Sequence, residues 1–298
     1  MDRAVSVSAL DAPIAALGES PVWSVAEQAL YWVDIDSQQI HRYDFETANI
    51  ESRTTVARPG SIALNPVERM LTIGMEHHVV RFDWDSADAW MLLDLEAEGI
   101  GNRLNDGRCD PAGRYVLGSM FADTNAGRTT GILHQVQHGS ATQLRSGIGV
   151  ANGLAFDAVR NRMYFADTPT EKVLAFDYDP ATGIATNERV FFDYADMPGK
   201  PDGACVDSEG CYWSASVNGW AVLCISPDGE VVRRVELPLQ KPSMPCFGGP
   251  DLDVLFVTTI GVGGNTPSEP GRDGFAPGAT LRIDGLGVTG VREPAYQG

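Results

Sequence analysis

The chain has 298 residues, of which 43% are hydrophobic, enough apolar material for a sizeable core and too much for a disordered chain. With 40 acidic against 22 basic residues the net charge is −18, which repels phosphate backbones and anionic bilayers; no nucleic acid and no membrane partner is expected, and the charge serves solubility. No apolar run is long enough to span a bilayer, and residues 1–17 lack a basic stretch followed by an apolar core, so a cytoplasmic protein is expected.

In chain order, a strand-turn-strand pattern repeats. It occurs at residues 29–36 with 40–44, at 70–74 with 79–82, and at 114–118 with 132–136. It returns at 162–168 with 173–177, at 211–216 with 221–226, and at 254–259 with 279–283. Each copy is rich in β-branched and aromatic residues and bounded by turn formers. Each follows a short segment ending in turn chemistry: 20–24, 61–66, 106–111, 153–157, 203–207 and 247–250. Successive copies are about 40 to 50 residues apart, the period of a four-stranded propeller blade. No long stretch has an apolar stripe at helical spacing, and no linker splits the chain. The expected fold is therefore all-β, a six-bladed β-propeller with four-stranded antiparallel blades, forming one domain over residues 1–298. Even spacing disfavours the competing β-sandwich. Two Gly- and Pro-rich insertions, 122–131 and 261–278, fall between strands of a blade.

The residue that opens the first strand of each unit is the next regularity. Innermost strands line the channel of a propeller, so these residues meet in a ring at one mouth. The units offer Glu19, Gly60, Asn105, Asn152, Asp202 and Cys246. Four are oxygen donors and two of those are carboxylates, a cluster that is costly to bury without a cation. All-oxygen ligation suits Ca²⁺, Mg²⁺ or Mn²⁺, with Zn²⁺ and Fe²⁺ still open. Any one Asn-Gly or Asp-Gly alone is more often a turn than a ligand; recurrence in register favours one divalent metal ion.

Other chemistries lack their signatures. The five cysteines (Cys109, Cys205, Cys211, Cys224, Cys246) are odd in number, contain no CxxC, and are expected to be free buried thiols. There is no Gly-x-Ser-x-Gly elbow, no HExxH and no phosphate-binding Gly-rich loop leading into a helix. The histidines (His41, His77, His78, His134, His138) take no role.

Several stretches resemble the regucalcin and gluconolactonase (senescence marker protein) family. They are Leu17-Gly-Glu-Ser-Pro-Val-Trp23, Tyr31-Trp-Val-Asp34, Arg103-Leu-Asn-Asp-Gly107 with Asp110-Pro-Ala-Gly-Arg114, and Asn152-Gly-Leu154. Ala175-Phe-Asp-Tyr-Asp179, Pro201-Asp-Gly203 with Asp207-Ser-Glu-Gly210, and Cys246-Phe-Gly-Gly249 complete the series. The resemblance spans almost the whole chain, and the order and spacing of the pieces make it specific. It implies a sugar lactonase that opens the ester ring of an aldonolactone with the help of a divalent metal. It implies Glu19, Asn152 and Asp202 as metal ligands and Arg103 and Asn105 as substrate contacts. Asp123 stands where the family usually has a glutamate after its Gly-Thr-Met, here Gly118-Ser-Met120, and is the third expected substrate contact. The resemblance also implies that residues 5–10 join the last blade and close the ring. Asp202 is the expected general base, with pure ligation the alternative. Two other functions stand beside the lactonase: a metal-dependent phosphotriesterase or esterase on the same site, and a calcium-binding propeller without catalysis. Arg103 and Asn105 weigh against the last, since a simple metal ring has no use for them.

Overall fold

The computed structural model describes residues 4–96, 99–264 and 267–298. They build six four-stranded antiparallel sheets, the blades of a β-propeller. Each expected repeat becomes one blade. Six innermost strands surround the channel: Gly18–Ser24, Pro59–Leu64, Asn102–Cys109, Ala151–Asp157, Lys200–Val206 and Pro242–Gly248. Each touches the innermost strand of the next blade, and the sixth touches the first.

Blades stand face to face, so both sides of their inner strands are covered. This is why Ala29–Asp34 is buried at every position instead of alternating, while the outer strand Ile50–Thr54 of the same blade is partly exposed. Aromatic pairs lock neighbours together. Trp23 of the first blade stacks on Phe256 of the sixth (ring centroids 5.9 Å apart), and Tyr164 of the fourth packs on Tyr212 of the fifth (4.9 Å). Each such pair contributes about 0.5–1.5 kcal/mol beyond burial.

The ring closes as the resemblance implies. Ser6–Ala9, from the start of the chain, is the outer strand of the last blade and pairs antiparallel with Leu281–Asp284. The expected insertions 122–131 and 261–278 fall in the connections 122–130 and 260–280, between the second and third strands of blades three and six. All five cysteines are free and buried.

One irregularity recurs in all six blades. Each innermost strand carries one extra residue against its neighbour, a β-bulge close to where the strand begins. The shift falls between Glu19 and Val22, Leu104 and Gly107, Asn152 and Ala155, and Pro201 and Ala204. In blades two and six it falls between Pro59 and Ser61 and between Pro242 and Met244. A bulge bends the strand and re-aims the side chains around it, here toward one mouth of the channel. In the sixth blade the rim position is therefore Ser243, not the expected Cys246. Both Pro242 and Pro245 look like strand starts, but Pro242 is the residue that pairs with Thr259, and Cys246 lies further along the channel.

The far end of the channel is closed by the chain's last segment. The Tyr296 N–H donates to the Leu64 carbonyl and the Gln297 N–H to that of Gly113. Glu293 pairs there with Arg108, whose guanidinium also donates to the carbonyls of Leu154 and Ala204.

Candidate active site

At the open mouth the bulges bring together Glu19, Arg103, Asn105, Asn152 and Asp202, none more than 9% exposed. Four blades supply them. They line one cavity of about 260 Å³, with Asp36 and Arg58 on its wall and Leu17, Ile35, Met120, Val150 and Ile260 giving it an apolar side. A larger cleft of about 640 Å³ lies along the C-terminal segment at the opposite face, but no comparable group of buried polar side chains converges there.

Backbone support holds these residues from behind. The Asp34 carboxylate accepts the N–H groups of Ala16 (2.8 Å) and Leu17 (3.0 Å), fixing the approach to Glu19. Asp167 does the same for Gly149 and Val150, ahead of Asn152. Ser243 Oγ donates to the Gly18 carbonyl from the sixth blade. Two glycines make room. A Cβ on Gly60 would lie 2.6 Å from the Leu104 carbonyl oxygen, and Gly153 has φ +61° with the Tyr212 hydroxyl 2.4 Å from where its Cβ would be. The second blade thus contributes space where others contribute donors.

A hydrogen-bond chain orders the polar side chains. Arg103 Nη1 donates to Asn105 Oδ1 (2.6 Å), and Asn105 Nδ2 donates to the Ala151 carbonyl (2.8 Å) and to Asn152 Oδ1 (3.0 Å). Asn152 Nδ2 donates to Thr168 Oγ1 (2.9 Å), which donates to the Pro201 carbonyl (2.8 Å). Asn152 is left with oxygen capacity for an incoming group. Asn105 spends both amide hydrogens inside the protein, so it positions Arg103 and Asn152 as well as bordering the cavity. Arg58 is held by Glu76 in a two-bond pair (2.6 and 2.9 Å).

The electrostatics are unbalanced. Burial, then the charges of Asp202 and Asp106, hold the Glu19 carboxyl well above the usual carboxylate range. Burial and Asp106 push Asp202 up to about 8. Burial pushes Arg103 down to about 10, helped by nearby Arg58 and opposed by Asp36 and Glu19. Buried carboxylates gathered with an amide oxygen fit a hard divalent cation, which would replace the missing positive charge; no thiol is among the donors.

Asp123 is not brought to this group. It is exposed, and its carboxylate accepts the Asn125 N–H (3.1 Å) as N-cap of the short 3₁₀ helix Thr124–Ala126; its neighbours Ala122 and Thr124 line the cavity instead. Asp36 and Arg58 also border the cavity, and Thr168 backs Asn152; none of the three opens an innermost strand, the position that drew the expected ligands.

The fold and this mouth define a propeller with a carboxylate-rich, cation-ready pocket on its axis. The SMP-30/gluconolactonase/LRE-like region model matches residues 17–261, and the chain belongs to that family. A pentonolactonase of Haloferax volcanii is 36% identical over 287 residues, covering 93% of each chain. A 6-deoxy-6-sulfogluconolactonase of Pseudomonas putida is 34% identical over 283 residues, covering 95% of each. The crystal structure of a calcium-binding regucalcin from Agrobacterium tumefaciens superposes with a TM-score of 0.88 at 26% identity, covering 97% of this chain and 96% of that one. The family thus includes sugar lactonases and regucalcin.

Proposed function

We propose that this protein hydrolyses a neutral sugar lactone to the aldonic acid with one divalent cation held by Glu19, Asn152 and Asp202. The observation that carries the reading is the convergence of those three buried donors, two of them carboxylates without a matching positive charge, on a cavity that also holds Arg103. The cavity, about 260 Å³, lies below the range that holds drug-sized ligands and is of a size for a single sugar ring. A bound divalent cation supplies Lewis-acid polarisation of the ester carbonyl and a more acidic water.

The remaining chemistry belongs to the chain. Asp202 accepts the proton of the attacking water at its carboxylate. The water oxygen bonds to the lactone carbonyl carbon, the ring C–O bond breaks, and the ring oxygen leaves as the new hydroxyl after taking up a proton. Arg103, fixed by Asn105, presents donors to substrate oxygens, and the apolar side of the cavity limits competing water.

Charge favours a neutral substrate. A cation would balance Glu19 and Asp202, Glu76 already holds Arg58, and the charge of Arg103 is faced by Asp36 and Glu19, so among the described residues its donors suit hydroxyls better than a further anion. The pentonolactonase and sulfogluconolactonase among the relatives support the ester class and bracket the sugar.

The test is a pH-indicator hydrolysis assay on metal-stripped protein given Ca²⁺, Mg²⁺, Mn²⁺, Zn²⁺ or Fe²⁺ in turn. Its substrates are neutral pentono- and hexonolactones, an anionic lactone and a phosphotriester. Cation-restored turnover of a neutral lactone is expected. Turnover of the phosphotriester alone would move the assignment to that ester class. Folded protein that binds the cation and turns over nothing would leave a calcium-binding propeller.

A further inference from the structure

A third carboxylate lies beneath the proposed ligands and has no role in the scheme above. Asp106 occupies the bulge of the third blade, one residue after Asn105 and facing the fourth blade. It is buried, at 6% exposure. Its Oδ2 accepts the Leu154 N–H at 2.9 Å, from the strand that carries Asn152. Its Oδ1 is buried with no hydrogen-bond partner. Burial raises the Asp106 carboxyl above its ordinary range, opposed by the Leu154 N–H and by the charge of Arg108, whose own hydrogen bonds go to Glu293 and two backbone carbonyls.

Buried carboxylate oxygens are ordinarily satisfied, and one left without a donor is a cost the fold carries for a reason. A packing role does not supply that reason: an asparagine would accept the same Leu154 N–H without the charge. The direction of the field does. Asp106 directly follows Asn105, which donates to Asn152, and its carboxylate holds the Asn152 strand through Leu154, so its charge stands beside the proposed ligands; there it adds negative potential at Glu19 and Asp202, which weighs against the empty site and favours a cation.

We infer that Asp106 is a positioning residue for the cation: a carboxylate just outside the ligand set that raises affinity at the expense of the cation-free protein. The inference rests on the reading of Glu19, Asn152 and Asp202 as the cation site. Its mark is a pair of opposite effects from one isosteric change. Asp106→Asn keeps the acceptor for Leu154 and removes the surplus charge. The cation-free variant should then melt at a higher temperature than the wild type, while its cation affinity falls.

The experiment uses full-length protein stripped of metal, with Ca²⁺ and Mn²⁺ titrated calorimetrically and melting followed with and without cation. For Asp106→Asn we expect affinity to fall by about 10- to 100-fold, the range for residues supporting a metal's direct ligands, together with a higher cation-free melting temperature. Wild-type protein that binds neither ion would overturn the cation site itself. Normal wild-type binding with unchanged affinity in the variant would overturn the role of Asp106 alone. So would a lowered cation-free melting temperature or failure of the variant to fold, since either makes Asp106 a structural residue.

Discussion

The two ends of the central channel are built from the same strands and settle their charges in opposite ways. The third blade's innermost strand, Asn102–Cys109, places Arg103, Asn105 and Asp106 near one mouth and Arg108 near the other. At the far end the buried guanidinium meets the carboxylate of Glu293, delivered by the last segment, and its remaining donors reach carbonyls. At the open mouth Glu19 and Asp202 have no such partner, and the nearby arginines are engaged by Asn105 and Glu76. One end is balanced within the chain; at the other, among the described residues, the two carboxyls are held above their ordinary range. A buried ion pair is a structural solution, whereas buried carboxylates left unbalanced mark a binding site.

Four measurements can break or sharpen that contrast, the largest effect first. Replacing Asp202 by Asn should lower kcat/KM by roughly 10³-fold or more, because it removes a proposed ligand and the proton acceptor together. Retained lactone turnover in that variant would end the catalytic role of the carboxylate. Replacing Glu293 by Ala should cost about 3–5 kcal/mol of stability, the penalty for stranding a buried charge, with cation affinity nearly unchanged in calorimetry. Loss of both together would show that the two ends are coupled through the shared strand.

A pH series is the third. Asp202 is held at about 8 in the folded chain against an ordinary 3.8, so the cation-free fold keeps a proton that the unfolded chain has lost. That contribution is fully present at the acid end of the window, and the stability of the stripped protein should fall as pH rises from about 4 to 8. Cation affinity should rise over the same window, because ligation displaces the proton. A melting temperature for stripped protein that is flat or rising across it would contradict the buried, unbalanced carboxylate. The smallest effect belongs to Asp123. Replacing it by Ala removes a surface cap and should change kcat/KM by less than about twofold, with a stability loss near the ~1 kcal/mol typical of caps.

The repeat explains how much of this was legible beforehand. Strand composition and turn chemistry recur with the blade, so the propeller and its four-stranded blades follow from the sequence pattern. Glu19, Asn105, Asn152 and Asp202 stand out because a bulge recurs at the start of each innermost strand and turns them to one mouth. In the sixth blade the start is blurred by two prolines, and the expected Cys246 gave way to Ser243. Asp123, placed by resemblance, meets a local competitor that spacing alone does not weigh, the backbone N–H groups of its own short helix. Arg58 sits on a connection with no periodic counterpart, Asp36 ends a repeat copy away from the strand start that marks the expected ligands, and the partnership of Arg108 with Glu293 joins residues from distant parts of the chain. Such pairings arise only when the ring closes.

Ring closure itself has a consequence for the chain as it is made. Ser6–Ala9 leaves the ribosome about 270 residues ahead of its partner Leu281–Asp284. At about 5–20 residues per second the nascent strand waits roughly 15 to 60 s for its edge to be paired. The proposed ligands come from blades one, four and five, so the chain through Lys200–Val206 must emerge before they can meet. The proposed site can form only after the fifth blade's inner strand is made, and until Leu281–Asp284 follows, the blades stand as an open arc with Ser6–Ala9 unclaimed.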